Sequence, residues 1–170
     1  VKNNLQLISS IISMQVRRLP EPEARLALKR LQDRVLTLAA IYRTLYTSAD
    51  MGAVNVAPIL RSVAAQELQP RGDAIEAELR IDDLVLDADR AVPLAFLAAE
   101  AVSNAAAHAR APGGRPRVEV ALVCAQGTAT LTVSNAAEGP PPRPRGQGLG
   151  RHLIQAFAAQ IGSPVETVEE

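Results

Sequence analysis

From Ala24 to Leu45 the residues Ala24, Leu28, Leu31, Val35, Leu38, Tyr42 and Leu45 recur at alternating steps of four and three. Such a seam keeps one side of an α-helix apolar along its whole length and requires a second helix to face it. Upstream, Val1, Leu5, Ile8, Ile12 and Leu19 mark one face of another helix. The stretch Pro20-Glu21-Pro22-Glu23 lies between them. It suits a short connection that ends one helix and opens the next, with acidic residues at the new N-terminus. No glycine interrupts residues 1–48. These features predict an antiparallel helical hairpin. Leu26, Ala27, Leu36, Ala39 and Ile41 fall off the seam, so more than one face needs a partner. A homodimeric four-helix bundle meets that need with the least extra chain. Packing of the hairpin on its own C-terminal domain is the alternative.

After Asp50 the texture becomes mixed. Ala57 to Leu68 reads as a helix closed by Pro70 and Gly72. Ile75, Ala77, Leu79 and Ile81 alternate with Glu76, Glu78 and Arg80, the pattern of a half-exposed strand, and Leu84 to Leu86 suits a short companion strand. Asp89 to Ala109 is a long Ala-rich helix. Val118, Val120 and Leu122, then Ala129, Leu131 and Val133, form two alternating strands joined through Gly127. A Pro- and Gly-rich stretch, Gly139 to Gly150, precedes a helix through Leu153, Ile154, Phe157 and Ile161, with a last strand near Val165 to Val168. The order predicts an α+β chain: a hairpin over 1–48, then over 53–170 one sheet layered under helices.

Composition removes several classes of function. Lys and Arg total 18 against 18 Asp and Glu, and aromatics are 2% of the chain, so neither a basic stripe nor a stacking platform for nucleic acid is present. Cys124 and two histidines make no convincing zinc site. Cys124, at a strand end, reads as a small core residue. Apolar runs never approach the ~18 residues of a membrane span, and no signal-peptide pattern opens the sequence. The expectation is a cytoplasmic protein without direct membrane insertion.

Two groups of residues could carry chemistry. Glu100 and Asn104 are four apart in the Ala-rich helix and share a face. A carboxylate and a carboxamide among apolar neighbours need partners; a Mg2+ ion on nucleotide phosphates suits an Asn oxygen, and bridging to neighbouring elements suits the pair equally. Gly146-Gln147-Gly148-Leu149-Gly150 leads into a helix N-terminus, where amides can approach phosphate oxygens. A plain connector would have the same composition, although Pro140 to Pro142 and Pro144 stiffen the approach.

Taken in order, these features resemble a family. Val1-Lys2-Asn3-Asn4-Leu5-Gln6-Leu7-Ile8 resembles the phosphoacceptor-helix motif of bacterial sensor histidine kinases of the HWE-related class. Leu97-Ala98-Ala99-Glu100-Ala101-Val102-Ser103-Asn104-Ala105 resembles their N box. Leu131 to Asn135 sits where their first glycine box begins, and Gly148-Leu149-Gly150-Arg151-His152-Leu153-Ile154 resembles the second. The resemblance covers essentially the whole chain. It implies a dimeric phosphotransfer hairpin joined to a GHKL-type ATP-binding α/β sandwich, with ATP and Mg2+ as cofactors where that site is competent. A response-regulator receiver domain is the implied partner, besides a second copy bound through residues 1–48. By resemblance, Glu100 assists proton handling at the acceptor histidine and Asn104 holds Mg2+. His108, Asn135 and Gly139 border the nucleotide, and Gly148 and Gly150 cradle phosphates. Asn3 and Asn4 would position water for removing phosphate from a docked regulator; outward-facing amides on a bundle are the alternative.

The sequence also departs from the pattern. The acceptor histidine would lie two positions before Val1. The Asp that binds the adenine amino group in the family is Asn135 here, the first Gly of that box is Ala137, and a Lys common in the N box is Ala107. Losing a charge-assisted hydrogen bond costs ~1.5–3 kcal/mol, roughly ten- to two-hundred-fold in affinity. These departures point to a degenerate ATP-binding domain over 53–170, and three readings follow: a working kinase core with an unusual nucleotide pocket, a protein that exchanges or removes phosphoryl groups without its own ATP, and a non-catalytic scaffold.

Overall fold

The computed structural model describes residues 2–18, 20–47, 52–69, 74–111, 113–136, 149–164 and 166. The chain divides into two compact units, Val1–Ala49 and Asp50–Glu170.

The first unit is the expected hairpin, α1 (Lys2–Arg18) followed by α2 (Pro22–Thr47). Pro22 takes the first helical position, where a missing N–H costs nothing. Arg17 and Arg18 end α1 and Glu23 opens α2, each with the sign that the helix dipole favours. The inner stripe differs from the one expected. On α1 it consists of Leu5, Ser9, Ile12, Ser13 and Val16, with Ser9 buried and Ile8 exposed. On α2, Leu31 is exposed and Gln32 takes the inner position. Its Nε2 donates to the Ser9 carbonyl and Ser9 Oγ, both at 3.3 Å, and to Ser13 Oγ. Polar hydrogen bonding thus claims one level of the interface, and the apolar side chains at that level turn outward. Of the off-seam residues, Ala39 and Ile41 are buried, whereas Leu26, Ala27 and Leu36 are exposed.

The second unit runs β1 (Val54–Asn55), α3 (Ala57–Leu68), β2 (Glu76–Ile81), β3 (Val85–Leu86), α4 (Ala88–His108), β4 (Arg117–Ala125), β5 (Thr128–Asn135) and α5 (Leu149–Ile161). The described strands form two sheets where one was expected: β2-β4-β5 and a small β1-β3 ribbon. The companion strand near Leu84 therefore pairs with Val54 and Asn55, not with β2. Asn55 locks this ribbon. Its Oδ1 accepts from Ala57 N at 3.1 Å and Leu84 N at 3.3 Å, and its Nδ2 donates to Asp83 Oδ1 at 3.0 Å. The last strand expected near Val165 to Val168 falls largely outside the described residues.

In the main sheet, β2 runs parallel to β4, so the chain must cross between them, and α4 lies in that crossover. The return from β4 to β5 is a two-residue turn, Gln126-Gly127, with φ of 51° and 75°. Both central residues of a type I′ turn need positive φ, which glycine adopts freely. One face of the sheet carries the core, where Val118 and Val120 meet Ala64, Leu68, Val102, Ala105 and Ala106, flanked by Leu79, Leu131 and Val133. The many alanines of α4 let it lie close to its neighbours. The other face is charged: Arg117 pairs with Glu78 and, at 2.9 Å, with Glu119, and Arg80 also pairs with Glu78. Arg117, together with Arg80, holds the Glu78 carboxyl below its ordinary value. Cys124, expected in the core, is exposed. It follows Leu122 on the same side of β4, but the strand has run past the helical cover there, and its amide donates to Asp82 Oδ2 at 2.9 Å.

Candidate functional site

The site is organised by α4. Asp87 caps its N-terminus, accepting from Arg90 N at 3.0 Å, and so satisfies one of the helix's free donors. Phe96, Glu100, Asn104 and His108 follow at intervals of four and form one slowly turning stripe along the helix. Burial falls along that stripe. Phe96 and Glu100 are 4% and 5% exposed, Asn104 is half-buried, and His108 is open to solvent. The apolar end anchors the helix, and exposure rises toward its C-terminal end. Glu100, buried though it is, is engaged with a neighbour.

The C-terminal end of α4 is tied to the end of β5. Ala109 N donates to Ala105 O at 2.8 Å, and Arg110 N donates to Ala136 O at 2.9 Å. Ala136 N in turn donates to Arg117 O at 3.1 Å. Asn135, the last residue of β5, therefore lies where α4, β4 and β5 converge, opposite Val118. Strand alternation places it on the face shared by Leu131 and Val133, the face covered by helices. Neither Asn104 nor Asn135 has a side-chain hydrogen-bond partner among the described residues.

The helix α5 packs against α4, with an aromatic contact between Phe96 and Phe157 whose ring centroids are 4.5 Å apart and planes tilted by 55°. Aromatic pairs of this geometry contribute about 0.5–1.5 kcal/mol beyond the area they bury. These are the chain's two phenylalanines. Their scarcity was a signal that they share one task, which periodicity alone did not expose. Through them, the helix that Leu149 and Gly150 begin is tethered to the helix that carries Glu100 and Asn104.

The structure thus places Glu100, Asn104 and His108 along one stripe of α4, and Asn135 near the C-terminal end of that helix. Gly150 is the second residue of α5, and Gly139 and Gly148 lie outside the described residues. Asn3 and Asn4 fall in the first turn of α1, in the other unit. Among the described residues no group of three His, Cys, Asp or Glu could hold a metal ion.

Residues 1–69 match the HisKA_2 family, described as histidine kinase. The chain is 32% identical over 168 residues to the sensor histidine kinase PdtaS of Mycobacterium tuberculosis, covering 94% of this chain and 30% of that protein. It is 37% identical over 117 residues to PdtaS of Mycolicibacterium smegmatis, covering 64% of this chain and 22% of that protein. The chain therefore spans less than a third of the length of these relatives. The histidine kinase domain of the blue-light activated histidine kinase of Erythrobacter litoralis EL346 has a similar fold. Its TM-score is 0.65 at 16% identity, covering 92% of this chain and 86% of that one.

Proposed function

The chain belongs to the histidine kinase family, and on that premise we propose that it is the phosphotransfer core of a two-component sensor protein. It exchanges phosphoryl groups between a histidine just upstream of Val1 and an aspartate of a response-regulator receiver domain. The hairpin pairs with a second copy to form a four-helix bundle, and the second unit binds Mg-ATP. The observation that carries this reading is the α4 stripe, which runs from a buried anchor at Phe96 to the half-buried carboxamide of Asn104.

Each residue has a role in that reading. Asn104 offers its amide oxygen to the Mg2+ that accompanies the phosphates. The first turn of α5 presents backbone amides to phosphate oxygens. Asn135 faces the base, and Glu100 assists the proton of the acceptor histidine, for which it must turn outward from its buried position. Mg-ATP supplies the phosphoryl group, and the protein contributes positioning and charge neutralisation. Asn3 and Asn4, one turn beyond the acceptor, orient water when the regulator is dephosphorylated.

A second reading is favoured by one specific observation, the carboxamide of Asn135 where the family has a carboxylate. Under that reading the protein passes or removes phosphoryl groups without using its own ATP. Calorimetry of Mg-ATP binding to the full-length protein separates the two. Saturable binding that Asn104→Ala abolishes is the expected result. No heat at millimolar nucleotide would leave phosphoryl exchange, or a scaffold that leaves the lifetime of a phosphorylated regulator unchanged.

A further inference from the structure

Among the described residues, the hairpin leaves its apolar seam at one level, and both helices leave it there together. Ile8 and Leu31, the seam positions, are 45% and 39% exposed, while their neighbours Ser9 and Gln32 turn inward. The other described seam residues, from Leu5 and Ile12 to Leu45, are buried or half-buried. Gln32 Nε2 donates to the Ser9 carbonyl, Ser9 Oγ and Ser13 Oγ. The other end of the same amide, Oε1, accepts from no described residue. A half-turn of the amide exchanges the two ends and still leaves one of them without a protein partner.

In a solitary hairpin this arrangement costs little. Gln32 is half-buried, so water can serve the free end of its amide. Covering the hairpin with a second helical pair removes that water, and the amide then needs a partner on the covering surface. Two hairpins related by a two-fold axis along the bundle bring equal levels together. An aligned copy of this chain therefore offers two serine hydroxyls and an amide where they are needed. A copy displaced by one helical turn offers Leu28 or Val35 instead, and an apolar foreign helix offers no donor at all.

We propose that Gln32, with Ser9 and Ser13, selects what covers the hairpin: a second copy of this chain, in register. The outward Ile8 and Leu31 supply attraction at that level. The amide supplies discrimination, since a mismatched partner leaves a buried polar group unmet. This rests on the bundle reading of the hairpin and deepens it.

The test is co-expression of the full-length wild type with a differently tagged full-length variant whose level is apolar, Ser9→Ala/Ser13→Ala/Gln32→Met, followed by native mass spectrometry. Each protein is expected to form dimers with itself. The ratio of mixed to like dimers is expected at least about fivefold below random pairing, because the single Gln32 of a mixed dimer faces no donor. Gln32→Met alone keeps the serine hydroxyls and is expected to deplete mixed dimers about twofold; it serves if the triple variant does not fold. Random pairing with either variant overturns the proposal and leaves the bundle standing. A triple variant that folds but stays monomeric overturns it too, since an apolar level should accept its like. A wild type that is monomeric throughout overturns the bundle reading, and the proposal falls with it.

Discussion

Seven of the nine exposed large apolar side chains among the described residues lie in the hairpin: Leu7, Ile8, Ile11, Met14, Leu26, Leu31 and Leu36. Only Val85 and Val123 lie in the longer second unit, although that unit supplies most of the buried core. A pair of helices has one mutual face, and any apolar residue outside it remains in water. A sheet covered by helices closes on itself, so its apolar residues find partners within the chain. The hairpin thus leaves apolar surface in water, whereas the second unit buries most of its own.

Perturbing each unit separately sharpens that contrast. The largest effect is expected in the second unit, where Leu122 is 1% exposed. Leu122→Ala should cost about 2–5 kcal/mol, read as an earlier urea transition of the second unit while the helical signal of the hairpin persists. Loss of both together would show that the two units do not unfold independently. The next effect belongs to the hairpin. Ile11 is 45% exposed, so Ile11→Glu costs a solitary hairpin little but places a charge in the proposed bundle. Sedimentation should show dimer association weakened at least about a hundredfold, with nucleotide binding per chain preserved. An unchanged mass would remove the bundle reading.

A smaller change tests the polar level inside the hairpin. Gln32→Ala removes the donor shared by Ser9 and Ser13 and should lower hairpin stability by about 1 kcal/mol, measured by thermal melting. The smallest effect comes from the charged face of the sheet. The folded state holds the Glu78 carboxyl below its ordinary value, chiefly through its hydrogen bond to Arg117. Its contribution to stability is therefore complete above the ordinary carboxylate range and fades as pH falls through the lower folded value. Because the group is exposed, Glu78→Gln should flatten the acid limb of the stability profile only slightly.

The parts of this fold that were legible in the sequence had either periodicity or punctuation. The Pro70 to Gly72 stretch closes α3, alternation marks β2, β4 and β5, and the paired prolines separate α1 from α2. The β1-β3 ribbon was not legible in full, because strands of two residues carry no period; Asn55, not any hydrophobic pattern, holds it. The inner stripe of α1 was misplaced because Ser9 and Ser13 are polar, and only a partner such as Gln32 reveals that they face inward. Cys124 was misread because alternation tells which side of a strand a residue occupies but not where the covering helices stop. At the candidate site, Glu100 and Asn104 were legible as a pair by spacing. The meeting of Asn135 with the end of α4 was not, since it depends on a backbone bond from Arg110 to Ala136.

The parallel pairing of β2 with β4 also sets an order of events during synthesis. Glu76 cannot meet Arg117 until the whole of α4 has been made, whereas α1 and α2 touch through neighbouring stretches of chain. Local helical contacts form in microseconds to milliseconds, while a ribosome adds only about 5–20 residues per second. The hairpin would thus stand complete, its outward apolar stripe in water, for several seconds before the sheet can close. If the hairpin pairs as proposed, chains emerging from adjacent ribosomes on one message would meet in that interval, and partners would be chosen among siblings before the second unit has closed.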